Sequence, residues 1–86
     1  MAQNINVEMA PKLRKNIEVL ESVIENARRG MENTKEMCDE QGADKLKKSC
    51  ESAGEGVEAL LQSMEELVEV LDRTATQYER TDAALN

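Results

Sequence analysis

Histidine, tryptophan and phenylalanine are absent from this 86-residue chain, and tyrosine occurs once. Without histidine there is no ready general base and no imidazole to complete a metal site. No nucleophile-elbow glycine pattern and no phosphate-binding loop occurs either. The carboxylates are spread along the chain, none inside an apolar run, so none has the burial that shifts a pKa toward acid–base work. Neither enzyme activity nor a cofactor or metal is expected. The lack of large aromatics argues against a compact globular core, because those side chains supply much of the buried area in one. With one proline and four glycines, strand and turn signals are nearly missing.

Long hydrophobic runs are missing too. Nothing approaches the roughly 20 apolar residues of a membrane-spanning helix, so no membrane insertion is expected. The N-terminus lacks the basic, apolar and small-residue segments of a signal peptide, so an exported form would not use the general secretory route. Basic residues number 11 against 18 acidic, a net charge of −7. Residues 44–86 hold most of the excess, five basic against ten acidic. A surface of that sign repels phosphate, which excludes nucleic acid and disfavours anionic membranes. The two cysteines, Cys38 and Cys50, are too few for a disulfide scaffold and badly spaced for zinc.

What the chain does have is heptad order. Leu46, Cys50, Ala53, Val57, Leu60, Met64, Leu67, Leu71, Thr74 and Tyr78 are spaced alternately by four and three. Leu13, Ile17, Leu20, Ile24, Ala27, Met31, Thr34 and Cys38 repeat the same spacing upstream. A 3.5-residue period is the mark of a coiled-coil seam. Periodicity breaks at Asp39–Asp44, where Gly42 suits the left-handed residue after a helix and Asp44 the next N-cap. Pro11 is best tolerated in a first helical turn. These signals predict helices over 10–41 and 44–82, a turn at 41–44 and short irregular ends.

Pairing arithmetic supports the turn. In an antiparallel hairpin facing residues have numbers of constant sum. Ile17 with Leu71, Ile24 with Met64, Met31 with Val57 and Cys38 with Cys50 all give 88. So do Leu20 with Val68 and Ala27 with Leu61. Ser52–Gly56, with two close glycines, is a competing turn, but it would lose this mirror relation. Cys38 and Cys50 could then meet within disulfide reach or remain two small core thiols.

Leu61, Val68 and Ala75 add a second apolar row beside the downstream seam. One partner helix cannot cover both rows. The predicted fold is an all-α antiparallel two-helix hairpin in one domain, pairing with another hairpin into a four-helix bundle. Leu61, Met64, Val68, Leu71 and Ala75 form the expected partner-binding face. A homodimer is the other arrangement the seams allow.

Near the end, Tyr78 and Asp82 stand one helical turn apart in a Tyr-x-x-x-Asp pattern. A hairpin of this length, with Gly42 in its turn and this pattern after its second helix, resembles the small ESAT-like, or Trp-x-Gly, substrates of bacterial type VII secretion. The opening Ile5-Asn6-Val7 and the segment Ala75–Asp82 are similar to the ends of such proteins. The family's turn carries Trp-x-Gly, whereas this chain has Glu40-Gln41-Gly42 and keeps only the glycine. The resemblance implies a secreted protein made in a bacterial cytoplasm, with Tyr78 and Asp82 as an export signal read by a secretion ATPase. It also implies a partner that brings the missing turn tryptophan. That partner would be another helical hairpin or the N-terminal helical domain of a larger LXG-type effector, for which this chain is the export adaptor. The competing expectations are a homodimeric structural scaffold and a secretion chaperone that stays inside the cell.

Overall fold

A computed structural model describes residues 4–42 and 44–85, with side chains described for 8–40, 42 and 44–84. The chain forms two α-helices, α1 (Asn4–Gln41) and α2 (Asp44–Leu85). They lie antiparallel as a rod of 62 × 16 × 15 Å. The long axis is the length of one helix: 38 residues at about 1.5 Å each give roughly 57 Å.

The turn falls where the break in periodicity placed it. α1 ends at Gln41, Gly42 takes φ +70°, and Asp44 opens α2. A left-handed residue at that point suits glycine because no Cβ meets the carbonyl. α2 runs through Ser52–Gly56 without a break, so the competing turn does not form.

Both helices are longer than expected. α1 begins at Asn4, not near residue 10, which puts Pro11 inside the helix. Proline there removes one backbone hydrogen bond. The packing just around it is what compensates: Ala10 is buried and Met9 half-buried, in register with the last turns of α2. α2 continues past residue 82 to Leu85. Of the expected irregular ends, residues 1–3 and Asn86 lie outside the described residues.

The core is the narrow strip between the helices. Ala10, Ile17, Ile24 and Cys38 are buried on α1, as are Leu61 and Ala75 on α2. Leu13, Leu20, Ala27 and Met31 fill in on α1; Cys50, Val57, Met64, Val68, Leu71 and Tyr78 do so on α2, all half-buried. The α1 seam is therefore the expected one, apart from exposed Thr34. The α2 seam is rotated. The row 50, 57, 64, 71, 78 faces α1 as expected, but its companion is 54, 61, 68, 75 and not 53, 60, 67, 74. Leu46, Leu60 and Leu67 are consequently exposed.

Charge explains the rotation. Glu51, Glu58, Glu65, Asp72 and Glu79 form an unbroken heptad line on α2, each following a residue of the shared row. Burying the Leu61 row brings this line beside α1; burying the Leu60 row would swing it away. Arg14 meets it at Asp72 and Glu79, and Arg28 meets it at Glu58 and Glu65. Fourteen residues forward on α1 correspond to fourteen back on α2, so the two clamps repeat and hold one register.

Candidate partner-binding edge

The two long sides of the rod are chemically different. One is the charged edge just described. Arg14 donates from Nη2 to Glu79 Oε1 at 2.8 Å and to Thr76 Oγ1 at 3.0 Å, and from Nε to Glu79 Oε2 at 3.2 Å. Its Nη1 also donates to Asp72. Arg28 Nη1 donates to both carboxylate oxygens of Glu58 at 2.9 Å, and its Nη2 to Glu65. These bonds raise both guanidinium pKa values further above their ordinary range; for Arg14 the Glu79 bond is the larger cause. The Arg14 bond also holds the Glu79 carboxyl below the usual carboxylate range.

That shift fixes a sign. Glu79 binds its proton more weakly in the folded chain than in the unfolded one. Its contribution is therefore complete above the ordinary carboxylate range and fades as pH falls through the lowered folded value. Thermal melts of the wild type and Glu79→Gln should differ at neutral pH, with the variant melting lower. The gap should close under acid. A gap that persists unchanged in acid would contradict the pairing. The pair is solvent-exposed, so the effect is small.

The opposite edge carries no charge along α2 or between Asn16 and Met37 of α1; Lys12 and Glu40 continue the α1 row at its two ends. On α2, one row reads Leu46, Ala53, Leu60, Leu67, Thr74, and the adjacent row Ser49, Gly56, Ser63, Val70, Gln77. On α1, the facing edge has Asn16, Val23, Gly30 and Met37, then Val19, Asn26 and Asn33. Every one of these is uncharged in a chain where charged residues make up 34%. The two rows on each helix alternate by threes and fours, so each helix presents a second heptad seam in addition to the one it uses internally. All seven large apolar side chains that the described residues leave exposed lie here: Val19, Val23, Met37, Leu46, Leu60, Leu67 and Val70.

The glycines agree with this division. Gly54 belongs to the internal seam, where a Cβ would stand 3.6 Å from Met31 Cε. Gly30 and Gly56 sit in mid-helix with nothing within 4 Å of a Cβ position. Each costs its helix about 1 kcal/mol relative to alanine, and no contact within the described residues makes use of it. Their numbers sum to 86, two short of the facing sum of 88, so they stand within about 3 Å of one level of the rod on the charge-free edge.

The expected site residues fall out as follows. Leu61 and Ala75 are buried between the helices, and Met64, Val68 and Leu71 are half-buried with them. Those five hold the hairpin closed, and the outward apolar face is the neighbouring row. The sequence carried a signal for that row, since the Leu46–Leu60–Leu67 set was in the seam first read from it; what it lacked was the rotation. Tyr78 and Asp82 share one face, as their spacing requires, but that face is turned toward α1 and both are half-buried. Asp82 Oδ1 is shielded from water without a hydrogen-bond partner among the described residues.

Cys38 and Cys50 form a disulfide, with Cα atoms 6.9 Å apart, near the turn end. It lies in a groove of about 560 Å³ on the charged side, floored by Met31, Gly54, Val57 and Leu61. The groove's ionisable lining is Arg28, Lys35 and Lys47 against Glu32, Asp39, Glu51, Glu55 and Glu58.

Among the described residues no helix is long and apolar enough to cross a membrane, and no cluster of three or more His, Cys, Asp or Glu could hold a metal ion. Comparison with protein-family models, curated proteins and solved structures finds no match.

Proposed function

We propose that this chain is a non-enzymatic interaction module whose charge-free edge docks a helical hairpin carried by another protein, giving a four-helix bundle. The observation that carries this reading is the second, uncharged heptad seam on each helix, with all of the large apolar side chains that the described residues leave exposed gathered on it. The α2 seam runs from Leu46 to Thr81, about 53 Å at 1.5 Å per residue. On α1 the charge-free stretch, Asn16 to Met37, is about 32 Å long, and with half of the 15 Å rod width for each helix the strip offers roughly 640 Å² per partner, toward the smaller end of specific interfaces. An edge without charge also lets an acidic chain approach an acidic partner, with both sets of carboxylates left facing water.

The resemblance to ESAT-like proteins gives this pairing a purpose: export through a type VII system, as a substrate or as the adaptor of a larger effector. In that reading Tyr78 and Asp82 are the export signal. Because their face is turned inward, the last turns of α2 must lift from α1 for a secretion ATPase to read them. Both residues are half-buried, so lifting of this end is what would expose them to the ATPase.

Two experiments test the reading separately. Co-expression with the products of neighbouring genes, followed by light-scattering mass measurement, should yield a complex of two chains. A stable monomer in every combination would sink the docking reading. Replacing Tyr78 or Asp82 with alanine should remove the protein and its partner from the culture medium while the complex still forms inside. Unchanged secretion would sink the export reading alone, and absence of the wild type from the medium would favour a chaperone or scaffold.

A further inference from the structure

The structure assigns a second chemistry to the turn end of the rod: we propose that the Cys38–Cys50 bridge is a thiol–disulfide exchange site that reacts in the folded state and selects thiols by charge. Three observations carry it. The bridge lines an open groove, so that a small thiol can approach it without unfolding of the chain. Its two sulfurs belong to residues of unequal exposure: Cys38 is 5% exposed, whereas Cys50 is half-buried. The groove around it holds three cationic side chains against five carboxylates.

The exchange follows from those facts. An incoming thiolate enters the groove and attacks the sulfur of Cys50, the more exposed of the two residues. A new S–S bond forms there, the bond to Cys38 breaks, and Cys38 leaves as a thiolate that takes a proton from water. The incoming sulfur is oxidised as the Cys38 sulfur is reduced, so no outside oxidant is needed. Lys35 stands one helical turn before Cys38 and stabilises the departing charge. A second equivalent of the same thiol completes reduction to the dithiol and releases its own disulfide.

The net negative lining sets the preference. A thiolate that carries further negative charge is repelled from the groove, while one that carries an ammonium group is admitted. The fitting natural reactant is a protein cysteine in a basic setting, and an acidic thiol is the poor one. This site goes beyond the docking edge and lies on the other side of the rod, so either can fail without the other.

The test uses the oxidised full chain in native buffer with three probe thiols: cysteamine, 2-mercaptoethanol and glutathione. Each rate is divided by its rate on the same chain unfolded in urea, which removes intrinsic reactivity and net charge from the comparison. Adducts are expected without denaturant, on Cys50, with the cysteamine-to-glutathione ratio about tenfold higher in the folded chain at low salt and reduced toward the unfolded value in 1 M salt. Glu51→Gln together with Glu55→Gln should lower that ratio. Exchange that appears only when the chain unfolds, adducts mainly on Cys38, or a ratio equal in folded and unfolded chains would each overturn the proposal.

Discussion

Leu60→Ala and Leu61→Ala should behave as opposites although the residues are adjacent. Leu61 is 2% exposed and packs between the helices; Leu60 is 60% exposed on the charge-free edge. Truncating Leu61 leaves a cavity in a core only two helices thick. The expected cost is about 2–5 kcal/mol, the range for buried leucine-to-alanine changes. Truncating Leu60 should alter the stability of the dissociated hairpin by less than about 0.5 kcal/mol, as for other surface changes. Its effect should appear in association, where loss of a central apolar contact costs about 1–2 kcal/mol, roughly a tenfold weaker complex. Leu60→Glu with Leu67→Glu should abolish the complex outright, because both carboxylates would be buried without partners. Denaturant melts of the separated chain and sedimentation of the complex measure the two effects. If both alanine variants melt alike, the assigned rotation of α2 is wrong.

Removal of the disulfide is the second large effect. Cys38 and Cys50 are separated by 12 in sequence and enclose the turn. For a loop of this size, chain-entropy reasoning gives about 3 kcal/mol of stabilisation through the unfolded state. In a domain of this length each kcal/mol moves the melting temperature by roughly 4–8 °C. Cys38→Ser with Cys50→Ser should therefore melt about 12–24 °C lower, followed by far-ultraviolet circular dichroism. Reduction of the wild type should give the same shift. The loss is large because a hairpin has one layer of contacts, and the bridge holds the end where Gly42 has no side chain to pack. A melting temperature indifferent to reductant would mean that the turn is held by something other than the bridge.

How far the sequence could be read differs between the elements. Two long helices, their antiparallel register and the turn at Gly42 were all legible, because they rest on spacing and on one glycine that must take positive φ. The apposition of Cys38 and Cys50 follows from that register; spacing alone does not decide between a bond and two free thiols. The start of α1 was not legible. Pro11 signals a first turn locally, and only burial of Ala10 and Met9 against α2 makes two further turns worthwhile. The partner face was misplaced by one row for a related reason. The row through Val57, Met64 and Leu71 can be completed by Leu60 and Leu67 or by Leu61 and Val68, and hydrophobicity ranks these equally.

What the sequence determined by itself, then, was two rods and where they fold back, since period and turn chemistry are local properties of the chain. Which side of α2 faces inward was decided only in three dimensions. Arg14 and Arg28 on one helix have to reach the acidic line on the other, and that requirement couples residues some 30 to 65 positions apart. Meeting it turns the Leu60 row outward and creates an edge that is uncharged along α2 and, on α1, from Asn16 to Met37. It also turns Tyr78 and Asp82 inward, because they share the face that α2 gives to α1.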